Sequence, residues 1–538
     1  MGRIALYAMR AAGWGLLLAA VGLPLGSLAR EVMRGPADWR AAALSARQWG
    51  IVGRTTAISV GAALLATLLA LPAIWALTVE TAARWRAWTW SAVVLPLLMP
   101  PAVFGYAWML LGSQARGVGP VLRAVGFESA GAAPVRAAVA LGTWLWPIPA
   151  AIGALAMGHG GRLAYRLALI DAGPMRALLH AALPGVRGPL VAAAALVFAL
   201  ALNEATIAPL VLAHTWPGEL APEVLDTALA GTPAAAMVWR SWPMFAGVAA
   251  AIGVALVSLR GVAEQSAVGG RSAVGVGQGP GRRTRLSAAA MVGGLALGPW
   301  LVFASELWSA RTDLAGALRR AVGLYSIEWR ASAVVALCSG VGAAMVAMAL
   351  LSARGRAGRG AWAALAATCV AGLVPPALLA QAWVGLLDRP GWLGWMYDET
   401  PVAWVAAMLG RFGFVAVAAA IVADGWVGRG LIEQAWLDGA DASRRVGRIC
   451  VPIGGAVMGA AALTVSCLAL SEVPAAIILT PVRFGGSLAV AVDNQMHYGR
   501  NADLIVTTGL LMIPGLGVAA GLPLLVSAAR RATMERRG

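Results

Sequence analysis

Two glutamates, Glu204 and Glu472, stand inside long apolar runs, each 20 residues after a proline, Pro184 and Pro452. In a helix that separation is roughly 25–30 Å, most of a bilayer's thickness. A carboxylate at such a depth is expensive unless it is paired, protonated or facing water. Two readings are open: a group on a solute pathway or gate, with Asn203 and Ser471 beside it, or a glutamate bonded to a neighbouring helix. Arg411, in Leu409-Gly410-Arg411-Phe412-Gly413, is the one arginine well inside an apolar run. It either snorkels outward or pairs with Glu472 or Glu204 and ties helices together.

No other constellation carries chemistry. All 41 basic residues are Arg, so the Gly-rich loop ending in Gly-Lys-Ser/Thr that cradles ATP phosphates cannot be made. The cysteines (Cys338, Cys369, Cys450, Cys467) and histidines (His159, His180, His214, His497) are dispersed, without metal-ligand or disulfide spacing. No Ser/His/Asp arrangement, HExxH or CxxC appears. The expectation is a chain that is no enzyme, holds no metal and binds no cofactor.

The elements that must position these residues are membrane helices. Of 538 residues 60% are hydrophobic and 12% charged, about half the charge of a soluble protein. Apolar runs near 11–29, 52–79, 89–112, 134–158, 188–213 and 243–259 are followed by a second set near 287–305, 331–352, 361–386, 403–424, 454–480 and 505–527. Each is long enough to span a bilayer; the first reads as a retained helix and not a signal segment. A Gly-, Ser- and Arg-rich stretch at 260–286 reads as a flexible linker. The expected fold is all-α and polytopic, about twelve spans in two halves, 1–259 and 287–538.

Charge sets the orientation. The side bearing the termini, the linker and residues 433–452 carries 24 Arg against 8 acids, and the other side 16 against 14. The positive-inside rule then puts both termini in the cytoplasm. Basic residues scattered over short loops argue against nucleic acid as a partner. Trp39, Trp49, Trp85, Trp88, Trp329, Trp392 and Trp395 sit near run ends, as an interfacial belt does.

The halves look like parallel copies. At an offset of 268, Leu141-Gly142 matches Leu409-Gly410, and Leu200-Ala201-Leu202-Asn203-Glu204 matches Leu468-Ala469-Leu470-Ser471-Glu472. At 275, Pro100-Pro101-Ala102 with Ala107-Trp108 matches Pro375-Pro376-Ala377 with Ala382-Trp383. The paired prolines are expected to kink or unwind helices. Duplicated membrane halves are common in transporters, with the solute passing near their interface.

Residues 433–452 form a polar, Arg-rich, helix-compatible segment between two apolar runs, so its charges belong on the water side. Its Glu433, Ala435, Gly439, Ala440 and Pro452 resemble the EAA loop of importer-type ABC transporter permeases, although Gln434 replaces the usual Ala. The first-half segment 165–184 keeps Ala172, Leu183 and Pro184 but has Tyr165 where Glu433 stands and Asp171 where Gly439 stands. The whole chain resembles the fused permeases of binding-protein-dependent importers, most of all the ferric-iron and thiamine type. That finer likeness rests on Pro-Pro-Ala…Ala-Trp, Arg411-Phe412 and Ser471-Glu472-Val473-Pro474-Ala475.

The resemblance implies a subunit of the inner (cytoplasmic) membrane without its own ATPase site. It implies two copies of a cytoplasmic ATPase that use ATP-Mg and an extracytoplasmic binding protein that delivers the solute. Coupling residues would be Glu433, Ala435, Gly439, Ala440 and Pro452, with Asp171, Ala172 and Pro184 in a weaker first-half loop. The solute it favours is ferric iron, whose hardness suits oxygen ligands; thiamine, polyamines and small oxyanions are alternatives. A carrier driven by an ion gradient is the rival from another class, and the coupling-loop spacing is what separates the two.

Overall fold

The computed structural model describes residues 3–35, 39–79, 83–113, 118–229, 235–266, 282–309, 314–353, 358–427, 429–481, 483–496 and 502–535. These are almost wholly helical, with no strand among the described residues. Nine helices among them are long and apolar enough to cross a membrane: Ile4–Arg34, Ala46–Leu77, Leu178–Leu202, Trp242–Leu259, Leu286–Trp308, Ser326–Ser352, Val402–Gly425, Ala442–Leu470 and Ala502–Gly521. Three bent pairs raise the number to twelve: Trp85–Leu98 with Pro101–Leu111, Ala130–Leu145 with Pro147–Met157, and Gly360–Gly372 with Pro376–Leu387. Counted in chain order, these twelve spans correspond to the twelve apolar runs.

The linker is shorter than its composition suggests. Helices reach Ser266 on one side and begin at Arg282 on the other, because Val262, Ala263 and Leu286 extend the apolar pattern past the charges. The remainder of the 260–286 reading, 267–281, lies outside the described residues.

The chain forms two compact units, and they do not follow the sequence halves. One comprises Met1–Ala43, Leu220–Arg240 and Ala310–Gly538, the other Leu44–Glu219 and Ser241–Ser309. The first span therefore packs in the unit built from the second half, and the seventh span in the unit built from the first. The compact units cut across the boundaries 1–259 and 287–538.

The reason is legible in small residues. In the first unit, a Cβ at Gly13 would lie 2.7 Å from the Met345 carbonyl and against the Ala349 methyl. Only glycine lets the first span approach the eighth so closely, and close approach is what drives helices together in lipid. Leu17, Ala20 and Val21 then join Val346, Leu350, Val417 and Ile453 in one buried cluster. Arg10 pins the far end, its Nε donating to Ser352 Oγ at 3.0 Å and its Nη2 to the Ser352 carbonyl. In the second unit the second span packs on the fourth and fifth, the fifth on the sixth, and the seventh lies along the second and third.

Three helices widen into a single π-turn, at Leu18–Gly22, Leu178–Ala182 and Val446–Cys450. Each is followed by one residue and then a proline: Leu23-Pro24, Leu183-Pro184 and Val451-Pro452. A helix-interior proline supplies no N–H and its ring crowds the carbonyl four residues back. One extra residue in the preceding turn relieves that clash, and Leu183 and Val451 N–H donate instead to the carbonyls of Leu178 and Val446. Pro72 and Pro299 lie within helices that carry no such turn, and Pro189 has none directly ahead of it, so the widening belongs to these three places.

Candidate functional site

In each unit a broken span meets a buried glutamate. The third span turns by 92° at Pro100-Pro101 and the ninth by 99° at Pro375-Pro376. Met99 and Pro375, each preceding a proline, have ψ of 128°, the extended conformation a following proline enforces. After the turn, Pro101–Ser113 packs on the short helix Ile207–Leu210, and Pro376–Leu387 on Pro474–Leu479. Gly105 makes the first crossing tight: a Cβ there would lie 3.0 Å from Leu210 Cδ1 and 3.2 Å from Ile207 Cα.

Those short helices follow directly on the two glutamates, which differ from the sequence reading. The fifth and eleventh spans end at Leu202 and Leu470, so neither glutamate lies within a continuous helix at 188–213 or 454–480. The carboxylates themselves stop the helices from continuing, by capping the next ones. Glu204 Oε1 accepts the Thr206 N–H at 2.6 Å and Oε2 the Ile207 N–H at 2.8 Å. Glu472 Oε1 accepts the Ala475 N–H at 3.3 Å. N-terminal amides are a natural seat for a carboxylate, and hydropathy alone runs straight through them.

The two sites then diverge. Arg411, from the tenth span, places Nε 3.1 Å from Glu472 Oε2, with Glu472 only 4% exposed. Its guanidinium also lies 5.4 Å from the Phe412 ring centre, while Nη1 is buried without a hydrogen-bond partner. Of the two openings left by the sequence, the structure takes pairing over snorkelling. The first half has Thr143 at the matching position, its hydroxyl spent on the Val139 and Ala140 carbonyls, and Glu204 relies on backbone amides and the Thr206 hydroxyl. Asn203 donates to the Ala199 carbonyl at 2.8 Å and Ser471 to the Leu468 carbonyl at 2.9 Å; both close off helix ends.

The polar segment between the tenth and eleventh spans is built as a helix stop. Arg429–Leu437 is helical, and Gly439 follows at φ +73°. Gly439 N–H donates to the Trp436 carbonyl at 3.0 Å and Ala440 N–H to the Ala435 carbonyl at 2.9 Å. This pair of bonds defines a Schellman cap, for which glycine is the preferred left-handed residue. Asp441 begins the next helix by accepting the Arg444 N–H at 2.8 Å. So Ala435, Gly439 and Ala440 owe their spacing to one cap. That cap leaves Trp436 65% and Leu437 77% exposed, flanked by the exposed Glu433, Asp438 and Arg444. Pro452 sits after the π-turn, near the start of the eleventh span.

The first-half segment is made differently. The helix Pro147–Asp171 ends at Ala172, which is extended at φ −134°, and a four-residue helix, Pro174–Ala177, follows. Asp171, exposed, takes no left-handed turn. Tyr165, in the place of Glu433, is 3% exposed and its oxygen accepts the Trp75 indole N–H at 2.8 Å. Pro184 again follows a π-turn. The sequence reading missed these widened turns and the exposed Trp436-Leu437 pair; prolines just inside a helix that continues upstream are the signal for the first.

Comparison of the chain with protein-family models, with curated proteins and with solved structures finds no match. The geometry must therefore carry the functional argument. Among the described residues no three His, Cys, Asp or Glu side chains group together as a metal site would require.

Proposed function

We propose that the chain is the membrane permease of an ATP-driven importer, a duplicated subunit whose solute is handed over by an extracytoplasmic binding protein. The observation that carries this reading is the capped helix at Arg429–Leu437. A tryptophan and a leucine exposed on a polar segment, ringed by charges of both signs, form the apolar centre and polar rim of a protein-docking surface. Their position at the head of the eleventh span would let a partner push on a long helix directly. Such a partner would be the ATPase that a chain without lysine cannot itself supply.

Recurrence supports the duplication. The π-turn, the proline, the helix end, the glutamate and its capped short helix return 268 residues on (446 against 178, 472 against 204). In this reading the halves are parallel, both termini and the docking segment are cytoplasmic, and the membrane is the inner one. The second half grips the ATPase more fully than the first, whose segment has no left-handed glycine cap among its described residues. Ferric iron is the solute favoured by the sequence resemblance, with thiamine, polyamines and small oxyanions as alternatives. Glu472 is engaged by Arg411 and Glu204 by amide donors, so either could touch a solute only as these contacts open.

The test is affinity purification of the intact protein from native membranes, with and without Trp436→Ser and Leu437→Ser together. Co-purification of a P-loop ATPase, lost in the double variant while its thermal midpoint is kept, is the expected result. A preparation without ATPase that takes up solute in vesicles under an ion gradient alone would overturn the reading in favour of a secondary carrier.

A further inference from the structure

In the first unit one short segment is only lightly fastened. Residues 388–400 join the second limb of the ninth span, Pro376–Leu387, to the tenth span, and carry the helix Trp392–Glu399. None of the eight residues of that helix is buried. Each end of it is a bending point. Gly391 enters at φ +98°, where glycine alone is unstrained, and Thr400 leaves extended, ψ 152°, ahead of Pro401. Two side chains tie the helix down, both to the stretch that follows Glu472. Tyr397 Oη donates to the Ile478 carbonyl at 3.2 Å, and Glu399 lies 3.1 Å from Arg483, whose side chain is 78% exposed. Burial, and after it the Asp388 and Asp398 carboxylates, push the Tyr397 phenol above its usual value, so the proton it donates stays in place.

What these ties hold is the short helix Pro474–Leu479. Its six residues are too few for a helix to persist on its own hydrogen bonds, so its ends depend on side chains. Glu472 accepts the Ala475 N–H at the first end, and Tyr397 donates to the Ile478 carbonyl at the last. The second unit repeats the arrangement with a stronger tie. There Arg136 Nε donates at 3.2 Å to the carbonyl of Val211, just past the short helix Ile207–Leu210, and its Nη1 donates to the Phe127 and Ser129 carbonyls at 2.6 and 2.8 Å. One guanidinium thus gathers three carbonyls with charge-assisted bonds. The first unit uses a neutral phenol and a solvent-screened ion pair, each of them weak.

We propose that residues 388–400 are a releasable strap that controls the Glu472–Arg411 pair. Fastened, the strap completes the short helix and keeps Glu472 on Ala475 and Arg411. Released, the helix loses its far cap and frays, and the Glu472 carboxylate is freed from the near one. The second unit, tied by Arg136, keeps its short helix, so release is confined to the unit that carries the ion pair. The strap rests on this geometry alone; that a solute is what the freed carboxylate meets rests on the importer reading.

The experiment is amide hydrogen exchange of the full chain in nanodiscs. A second readout is the rate at which a water-soluble maleimide labels Ser471→Cys in a chain whose four native cysteines are replaced by alanine. Tyr397→Phe removes one hydroxyl and keeps the ring. It is expected to speed exchange at Ala475, Ile477 and Thr480 roughly fivefold, to speed the labelling by a similar factor, and to leave exchange at Val211 and Leu212 unchanged. Glu399→Gln, on the exposed pair, should act in the same direction by about two- to threefold, and high salt should bring wild type to the same level. Equal exchange and labelling in wild type and Tyr397→Phe would overturn the strap. Faster exchange confined to 392–399, with labelling unchanged, would overturn its control of Glu472. Faster exchange throughout the spans with a lowered thermal midpoint would give Tyr397 a general structural role and overturn the proposal too. None of these readouts involves the ATPase, so failure here is distinct from failure of the importer reading.

Discussion

Removing Arg411 should damage the protein more than removing Arg411 and the charge of Glu472 together. The pair is 3.1 Å apart, with side-chain exposures of 21% and 4%. Deleting one member of such a pair strands the other, at about 3–5 kcal/mol. Arg411→Met keeps an unbranched apolar stem and leaves the Glu472 carboxylate with a single amide donor, Ala475 N–H. At about 2–4 °C per kcal/mol for a unit of this order of size, the midpoint should fall by roughly 10 °C. Adding Glu472→Gln removes the stranded charge while Oε1 still caps Ala475, so the double variant should recover all but about 1 kcal/mol. The 23 tryptophans give an intrinsic-fluorescence melt in detergent. Glu204→Gln is the control, since among the described residues no cation pairs with Glu204 and the loss should stay near 1–2 kcal/mol, one weakened amide contact. A double variant no more stable than Arg411→Met, or an Arg411→Met melt equal to wild type, would refute the argument that the pair is a coupled buried unit.

Cutting the chain within 267–281 and co-expressing the two pieces should restore a complex that co-purifies, whereas each piece alone should be degraded, because each unit borrows a span from the other half; stable separate halves would contradict the exchange. Pro452→Ala should restore a regular turn at Val446–Cys450 and raise the midpoint, by on the order of 1 kcal/mol; a lowered midpoint would show that the proline is not what widens the helix. Gly439→Val places a β-branched residue at φ +73°, roughly 1–2 kcal/mol of strain, so amide exchange should quicken at Ala440 and stay unchanged in the spans.

What was legible in the sequence followed from hydropathy and proline. The twelve apolar runs fall on the nine candidate spans and three bent helix pairs among the described residues, and Pro100-Pro101 and Pro375-Pro376 fall at the two sharp breaks, since a proline fixes its own φ and extends its predecessor. Glu204 and Glu472 were visible as anomalies, but their job as caps was not. An apolar run continues on both sides of each, and only the backbone reveals that the helix stops there. Arg411 could be paired with either glutamate on sequence grounds; which one depends on how helices rotate about their axes, a matter of Gly and Ala contacts that hydropathy does not encode. The exchange of the first and seventh spans was hidden for the same reason, because Ala/Leu-rich helices read alike whichever neighbour they choose. Within 433–452 the spacing of Ala435, Gly439 and Ala440 was legible, and the structure supplies its physical cause in one glycine cap.

That exchange sets a timetable for biosynthesis. The first span ends at Arg34 and the helix it packs on begins at Ser326, so close to 290 residues must be made between them. At a synthesis rate of about 5–20 residues per second, the first span waits on the order of 15–60 s in the bilayer with Gly13, Leu17 and Val21 facing lipid. The seventh span meets a finished docking surface as soon as it emerges. Half of this molecule therefore assembles as it is made, and the other half stays open until the eighth span arrives, which makes the first span the part most exposed to membrane chaperones and proteases.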